Sequence, residues 1–232
     1  MFRFKQFEIS DDASAMKIGT DGVLLGAWAD VSASRSILDI GTGTGLVALM
    51  SAQRATDATI CGVEIDHSAA REARLNVSRT PWHDRITIIE ADIRAYRPDV
   101  RYDHIVTNPP FFLSSLHSPD GARTVARHAT TLTYDDIVNA AECLLTEGGR
   151  LSIVLPTDCA ALFRRVAFER LWLSRILDVA TREGEAPKRT LMEFVLQMEP
   201  IMPRHDNLAI HAADGSYTEK YRCLTEEFYL NF

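Results

Sequence analysis

The sequence predicts an α/β fold: a doubly wound, mostly parallel, seven-stranded sheet with helices on both faces. Three observations lead there. Apolar runs of strand length alternate with longer stretches of helical periodicity over residues 36–198. The first run, Ser36-Ile-Leu-Asp-Ile40, ends in glycines at alternate positions, Gly41, Gly43 and Gly45, and then becomes helix-like. Later runs end in Glu64, Asp92 and Asn108, polar residues at the strand ends where such sheets receive ligands.

Phe2–Phe7 alternates and suits a short strand; residues 16–28 turn helical, with Thr20 or Asp21 available as the cap. Residues 36–54 form the first strand–helix unit, with Leu46, Val47, Leu49 and Met50 on the apolar helix face. Strands follow at 59–66, 85–92 and 102–107, with a helix over 67–79 that Asp66 can cap. Thr133-Tyr-Asp-Asp136 resembles a capping box, and Tyr134, Ile137, Val138, Ala141, Leu144 and Leu145 repeat at helical spacing until Gly148-Gly149. A strand at 151–155, a helix at 158–170 and strands at 171–181 and 190–198 complete the pattern. We expect one domain over 1–232: a core at 36–198, an N-terminal strand/helix extension at 1–35 and a C-terminal extension at 199–232.

Composition narrows the function. No apolar run approaches the roughly 20 residues of a membrane span, and the N-terminus has no signal-peptide core. The four cysteines show no paired spacing, so reduced thiols and a cytoplasmic location are expected, and no His/Cys cluster supports a metal site. The formal charge of −7 argues against a sequence-blind nucleic-acid coater but leaves room for a local basic patch. Monomer and homodimer stay open.

The glycines point to a ligand over the turn, since they allow φ > 0 and remove each Cβ where a molecule can approach the backbone. A dinucleotide fingerprint, G-x-G-x-x-G, does not fit: from Gly41 the third glycine falls at 45. Asp39 also favours a cationic ligand over a pyrophosphate. Glu64, about twenty residues on, suits ribose hydroxyls; Asp92 suits an adenine amino group, or a helix cap, with Ile93 packing on the ring. Asn108-Pro-Pro-Phe111 fixes a turn and removes two backbone donors, leaving the Asn108 side chain and the Pro109 carbonyl as acceptors for a planar NH2 group on a ring that Phe111 could stack upon.

The pattern D-x-G-x-G-x-G resembles motif I of the class I S-adenosylmethionine-dependent methyltransferases, and Asn108-Pro-Pro-Phe111 resembles motif IV of those acting on adenine N6, guanine N2 or glutamine amide nitrogen. Lys17–Trp28, Arg127-His128, Lys188–Phe194 and Tyr217–Phe232 resemble the bacterial tRNA (adenine-N6) methyltransferases, which modify the adenine 3′ of the anticodon of a valine tRNA. The resemblance covers nearly the whole chain, the loops being somewhat short, and implies a Rossmann-like methyltransferase fold. It implies S-adenosylmethionine contacts from Lys17, Thr20, Asp39, Gly41, Gly43, Gly45, Glu64, Ile65, Asp92, Ile93 and Asn108, and chemistry at Asn108, Pro109 and Phe111. It implies tRNA contacts from Arg3, Lys5, Arg127, His128, Lys188 and Arg189. A methyltransferase for protein glutamine would use the same turn, but usually has an N-terminal helical domain for which there is no room before Ser36. Methylation of rRNA guanine N2 and a non-catalytic tRNA-binding role on the same fold stay open as well.

Overall fold

The apolar runs become strands of one sheet in the computed structural model, which describes residues 1–11, 17–110 and 132–231. An antiparallel hairpin of β1 (Phe2–Arg3) and β2 (Glu8–Ile9) precedes α1 (Thr20–Trp28). The strand–helix alternation follows as β3 (Ser36–Ile40), α2 (Leu46–Arg54), β4 (Thr59–Glu64), α3 (His67–Ser78), β5 (Ile86–Glu90) and β6 (Tyr102–Thr107). Next come α4 (Tyr134–Leu144), β7 (Leu145–Pro156), α5 (Thr157–Ala167), β8 (Trp172–Arg182), β9 (Arg189–Val195), β10 (Arg204–His211) and α6 (Glu219–Thr225).

The sheet has the order β10-β8-β9-β7-β6-β3-β4-β5. Every pairing is parallel except those of β9, which runs antiparallel to both β7 and β8. From β3 the chain builds outward to β4 and β5 on one side and to β6 and β7 on the other, which opens a crevice at the carboxyl ends of β3 and β6. Strand alternation divides the core between the faces. Ile37 packs with α1 and α2, whereas Leu38 and Ile40 pack with α4 and α5.

Among the described residues the sheet has eight strands, one more than the sequence pattern predicts. The added strand, β10, lies at the edge, and its first four residues, Arg204-His-Asp-Asn207, are exposed and polar, so only Leu208 and Ile210 carry an apolar signal. Two terminations also differ. Helix α4 has the full Thr133/Asp136 capping box but ends at Leu144, because Leu145 is already extended at φ −76° and ψ 148°. Gly148 instead sits at φ 75° in a bulge of β7, where the register against β6 jumps from Tyr102–Leu145 to His104–Arg150. Neither Thr20 nor Asp21 caps α1: the N-cap is Gly19, and both residues lie in the first turn.

The termini brace the glycine turn. Asn76 on α3 is buried, with Nδ2 donating to the carbonyls of Ser10 and Thr44 at 2.8 and 2.9 Å and Oδ1 accepting from Ser10 N–H at 2.9 Å. The backbone N–H of Lys5 donates to the carbonyl of Phe228 at 2.8 Å, and Tyr229 stacks on Phe4, which holds the first hairpin beneath the C-terminal segment. No helix among the described residues is long and apolar enough to cross a membrane.

Asp39, near the end of β3, is 1% exposed. Its Oδ2 accepts from the Thr42 hydroxyl at 2.6 Å and from Ala48 N–H at 3.1 Å, tying the strand, the turn and the first turns of α2 together. Burial pushes the carboxyl up to about 7; the nearby Glu64 charge adds to this, and the two hydrogen bonds oppose it. In the unfolded chain this group ionises near pH 4, so between about pH 4 and 7 the folded chain holds a proton that the unfolded chain has released. Its contribution to stability therefore falls as pH rises through that window. Asp39→Asn should remove the dependence: relative to the variant, wild type should lose on the order of 2–4 kcal/mol between pH 4 and pH 8 in urea titrations. An unchanged difference across that range would contradict the assignment.

Candidate active site

A cavity of about 550 Å³ opens at the carboxyl edge of the sheet, lined by the ends of β3, β4, β5 and β6, the first turn of α1, and Arg189. Its volume suits a small organic ligand. Gly41 and Gly43 adopt φ 67° and 55°, and a Cβ on Gly41 would meet no atom within 4 Å, so the turn presents bare backbone to open space. Gly45 has another role: it is the N-cap of α2 at φ 88°, a left-handed conformation that side-chain-bearing residues rarely adopt, and it is absent from the cavity wall.

Glu64 ends β4 with both carboxylate oxygens oriented by backbone: Oε2 accepts from Gly43 N–H and Oε1 from Asp66 N–H, each at 2.9 Å. A carboxylate has about four acceptor positions, so hydroxyl donors can still be received. Asp66 caps α3 by accepting from Ala69 N–H at 2.8 Å. Beyond β5, Ile93 is buried in the wall, and Ile65, just past the end of β4, is exposed in it. Asp92 is engaged by its neighbour. The Arg94 guanidinium binds its carboxylate at 2.6 to 3.0 Å, and this pairing holds the carboxyl below its usual range. Its oxygens can take an adenine amino proton only alongside Arg94 or by displacing it. Asp39 lines the cavity, yet its carboxylate is committed to Thr42 and Ala48, which makes it the holder of the turn rather than an open counter-charge.

Asn108 follows β6, whose last residue, Thr107, donates its hydroxyl to the Ile40 carbonyl at 2.9 Å and so couples the ends of β6 and β3. Asn108 Oδ1 is buried and has no hydrogen-bond partner among the described residues. A buried acceptor in that condition costs about 1–3 kcal/mol, which a donor on a ligand would recover. Gly22 of α1 backs this side chain: a Cβ there would fall 3.0 Å from Leu46 Cδ2 and 3.8 Å from Asn108 Nδ2. Pro109 is buried and Pro110 lines the cavity.

Lys17 and Thr20 also line the cavity, and the Lys17 ammonium donates to the Asp11 carbonyl. Arg189, the first residue of β9, reaches the same wall and pairs with Asp21. Lys188 is exposed beside it. Arg3 and Lys5 are not part of the cavity: Arg3 pairs with Glu8 at 2.5 Å, and Lys5 Nζ donates to the Glu226 carbonyl at 2.5 Å. Phe111, Arg127 and His128 lie outside the described residues. Reading the sequence missed Asp21, Gly22 and Arg94 as site residues. Arg94 alone had a local signal, a cation two positions from Asp92; the other two depend on α1 packing across the crevice. Among the described residues no group of three or more His, Cys, Asp or Glu side chains is placed to hold a metal.

The methyltransferase small domain family matches residues 14–161. The chain is 47% identical to a tRNA1(Val) (adenine(37)-N6)-methyltransferase of Bacteroides thetaiotaomicron, covering 99% of this chain and 97% of the relative. It is 42% identical to the protein of the same name from Aeromonas hydrophila, again over 99% and 97%. Among solved structures, a predicted O-methyltransferase from Agrobacterium tumefaciens has the same fold, with a TM-score of 0.72 at 21% identity over 90% of this chain and 96% of that one. By the family match over residues 14–161 and the 42–47% identity over nearly the whole chain, the chain belongs to the methyltransferase small domain family and, within it, to the family of the tRNA1(Val) (adenine(37)-N6)-methyltransferases.

Proposed function

We propose that the protein transfers a methyl group from S-adenosylmethionine to N6 of an adenine in tRNA, the residue 3′ of the anticodon in valine tRNA. The observation that carries this reading is the buried Asn108 Oδ1 at the end of β6, without a hydrogen-bond partner among the described residues and beside a bare glycine turn. An acceptor without a partner selects a donor, and an exocyclic NH2 group offers two. The residues present suit the cofactor: Gly41 and Gly43 leave its backbone approach open, Glu64 presents oriented oxygens to ribose hydroxyls, and no cradle of amides for a pyrophosphate is needed. S-adenosylmethionine supplies an electrophilic methyl group when bound.

The chain's own work is positioning. The amino nitrogen of adenine is a poor nucleophile because its lone pair is delocalised into the ring. Asn108 Oδ1 and the Pro109 carbonyl accept hydrogen bonds from its two N–H groups, drawing the lone pair onto nitrogen and fixing its direction. Both groups accept only, so they orient the amine without deprotonating it, and the released proton passes to solvent. A base in an anticodon loop is partly unstacked already, so extruding it costs at most a few kcal/mol. An enzyme with this substrate works in the cytoplasm.

Single-turnover methylation of tRNA from a strain lacking the modification tests this reading. Asn108→Ala should lower the rate by on the order of 100- to 1000-fold, by analogy with loss of one oxyanion-hole donor, while both dissociation constants change far less. A rate within threefold of wild type, or transfer to a protein glutamine and not to tRNA, would contradict the reading. Glu64→Ala should weaken cofactor affinity by about 10- to 100-fold, since charge-assisted hydrogen bonds contribute roughly 1.5–3 kcal/mol. Calorimetry with S-adenosylhomocysteine measures this, and unchanged affinity would remove Glu64 from the site.

A further inference from the structure

We infer that Asp21 is a positioning residue that holds the Arg189 guanidinium at the mouth of the cavity as a receptor for a phosphate of the substrate RNA. The inference rests on the tRNA reading above and adds how the nucleotide is registered.

Asp21 lies in the first turn of α1 and its carboxylate accepts from Arg189 Nε. The side chains are 15% and 32% exposed, so the acid is the more enclosed partner and the guanidinium reaches toward solvent. The pair is not required to hold β9. Arg189 is already registered against Pro156 of β7 and Val179 of β8, and Lys188 N–H donates to the Val179 carbonyl at 2.9 Å. What the contact does fix is the guanidinium's direction.

Only Nε is engaged, so the two Nη groups have no hydrogen bond among the described residues and present a fork of donors. That fork matches a phosphate's paired oxygens. It opens on the same cavity as Asn108 and Gly22, which follows Asp21 directly in the helix. A nucleotide whose base reaches Asn108 carries its phosphate within one sugar of that base. Lys188, exposed on the neighbouring position, adds positive potential at the same edge. The carboxylate of the cofactor's amino-acid part is the other anion that could meet Arg189, but α1 offers it first-turn amides that no side chain caps.

A double-mutant cycle with Asp21→Asn, Arg189→Ala and the pair tests the proposal, using unmodified tRNA for KM and kcat, S-adenosylhomocysteine calorimetry for the cofactor, and melting temperature for the fold. Each single variant should raise the tRNA KM by about tenfold, the loss of one charge-assisted contact, with kcat and cofactor affinity nearly unchanged. The double variant should be no worse than Arg189→Ala, and Asp21→Glu should recover most of the loss. Multiplicative losses, an unchanged tRNA KM in Arg189→Ala, or a fall in cofactor affinity in place of tRNA affinity each overturn it. If Asp21→Asn does not fold, Arg189→Ala with Asp21→Glu decides by the same readings. Wild type that methylates no tRNA would sink the functional reading itself, a result distinct from an active enzyme without coupling.

Discussion

Asp39 accepts from Thr42 and Ala48 with one carboxylate oxygen while almost no part of it meets water, and the site depends on that arrangement. A carboxylate in that position is costly to bury, and its two donors offset part of the cost. In return the glycine turn is closed against α2, so Gly43 can offer its N–H to Glu64 and Gly41 can face open space. The same bond set couples β3, β4 and α2, whose backbone makes one wall of the cavity. Thr107, bonded to Ile40, carries the coupling to β6 and so to Asn108.

The reversal in strand order supplies the room. Because β6 lies on one side of β3 and β4 on the other, the helices that follow leave in different directions, and the gap between them is the cavity. The antiparallel β9 has a consequence for charge. Its N-terminal residue, not its last, stands at the ligand edge, which is how Arg189 comes to share a wall with Asn108 although they are 81 positions apart in the chain. Helix α1 closes that wall from above, resting on α2 through the gap left by Gly26 against Met50.

Much of this was legible beforehand because it depends on local periodicity. The strand at 102–107 appears with the boundaries its apolar run suggests, and the Thr133–Asp136 capping box forms in full. Asp66 is a cap because its side chain reaches an amide three residues on. What the sequence concealed is tertiary. Strand β10 has too few apolar residues to declare itself, being half solvated at the sheet edge. Gly148-Gly149 reads as a helix stop, yet the helix ends earlier and the glycines serve a bulge. The commitment of Asp92 to Arg94 and of Asp21 to Arg189 is a matter of which partner arrives across space; Asp39 likewise reads as an exposed counter-charge until α2 folds back over it.

Asn108 Oδ1, which has no hydrogen-bond partner among the described residues, is completed in the proposed reaction by the amino group of adenine. A crystal structure with S-adenosylhomocysteine and an anticodon stem-loop bearing the unmodified adenine would show this contact or its absence. Adenine N6 should lie within about 2.7–3.2 Å of Asn108 Oδ1, the base having left its stack. An adenine that stays stacked in the loop, or one that enters the cavity with N6 turned away from Asn108, would contradict the mechanism.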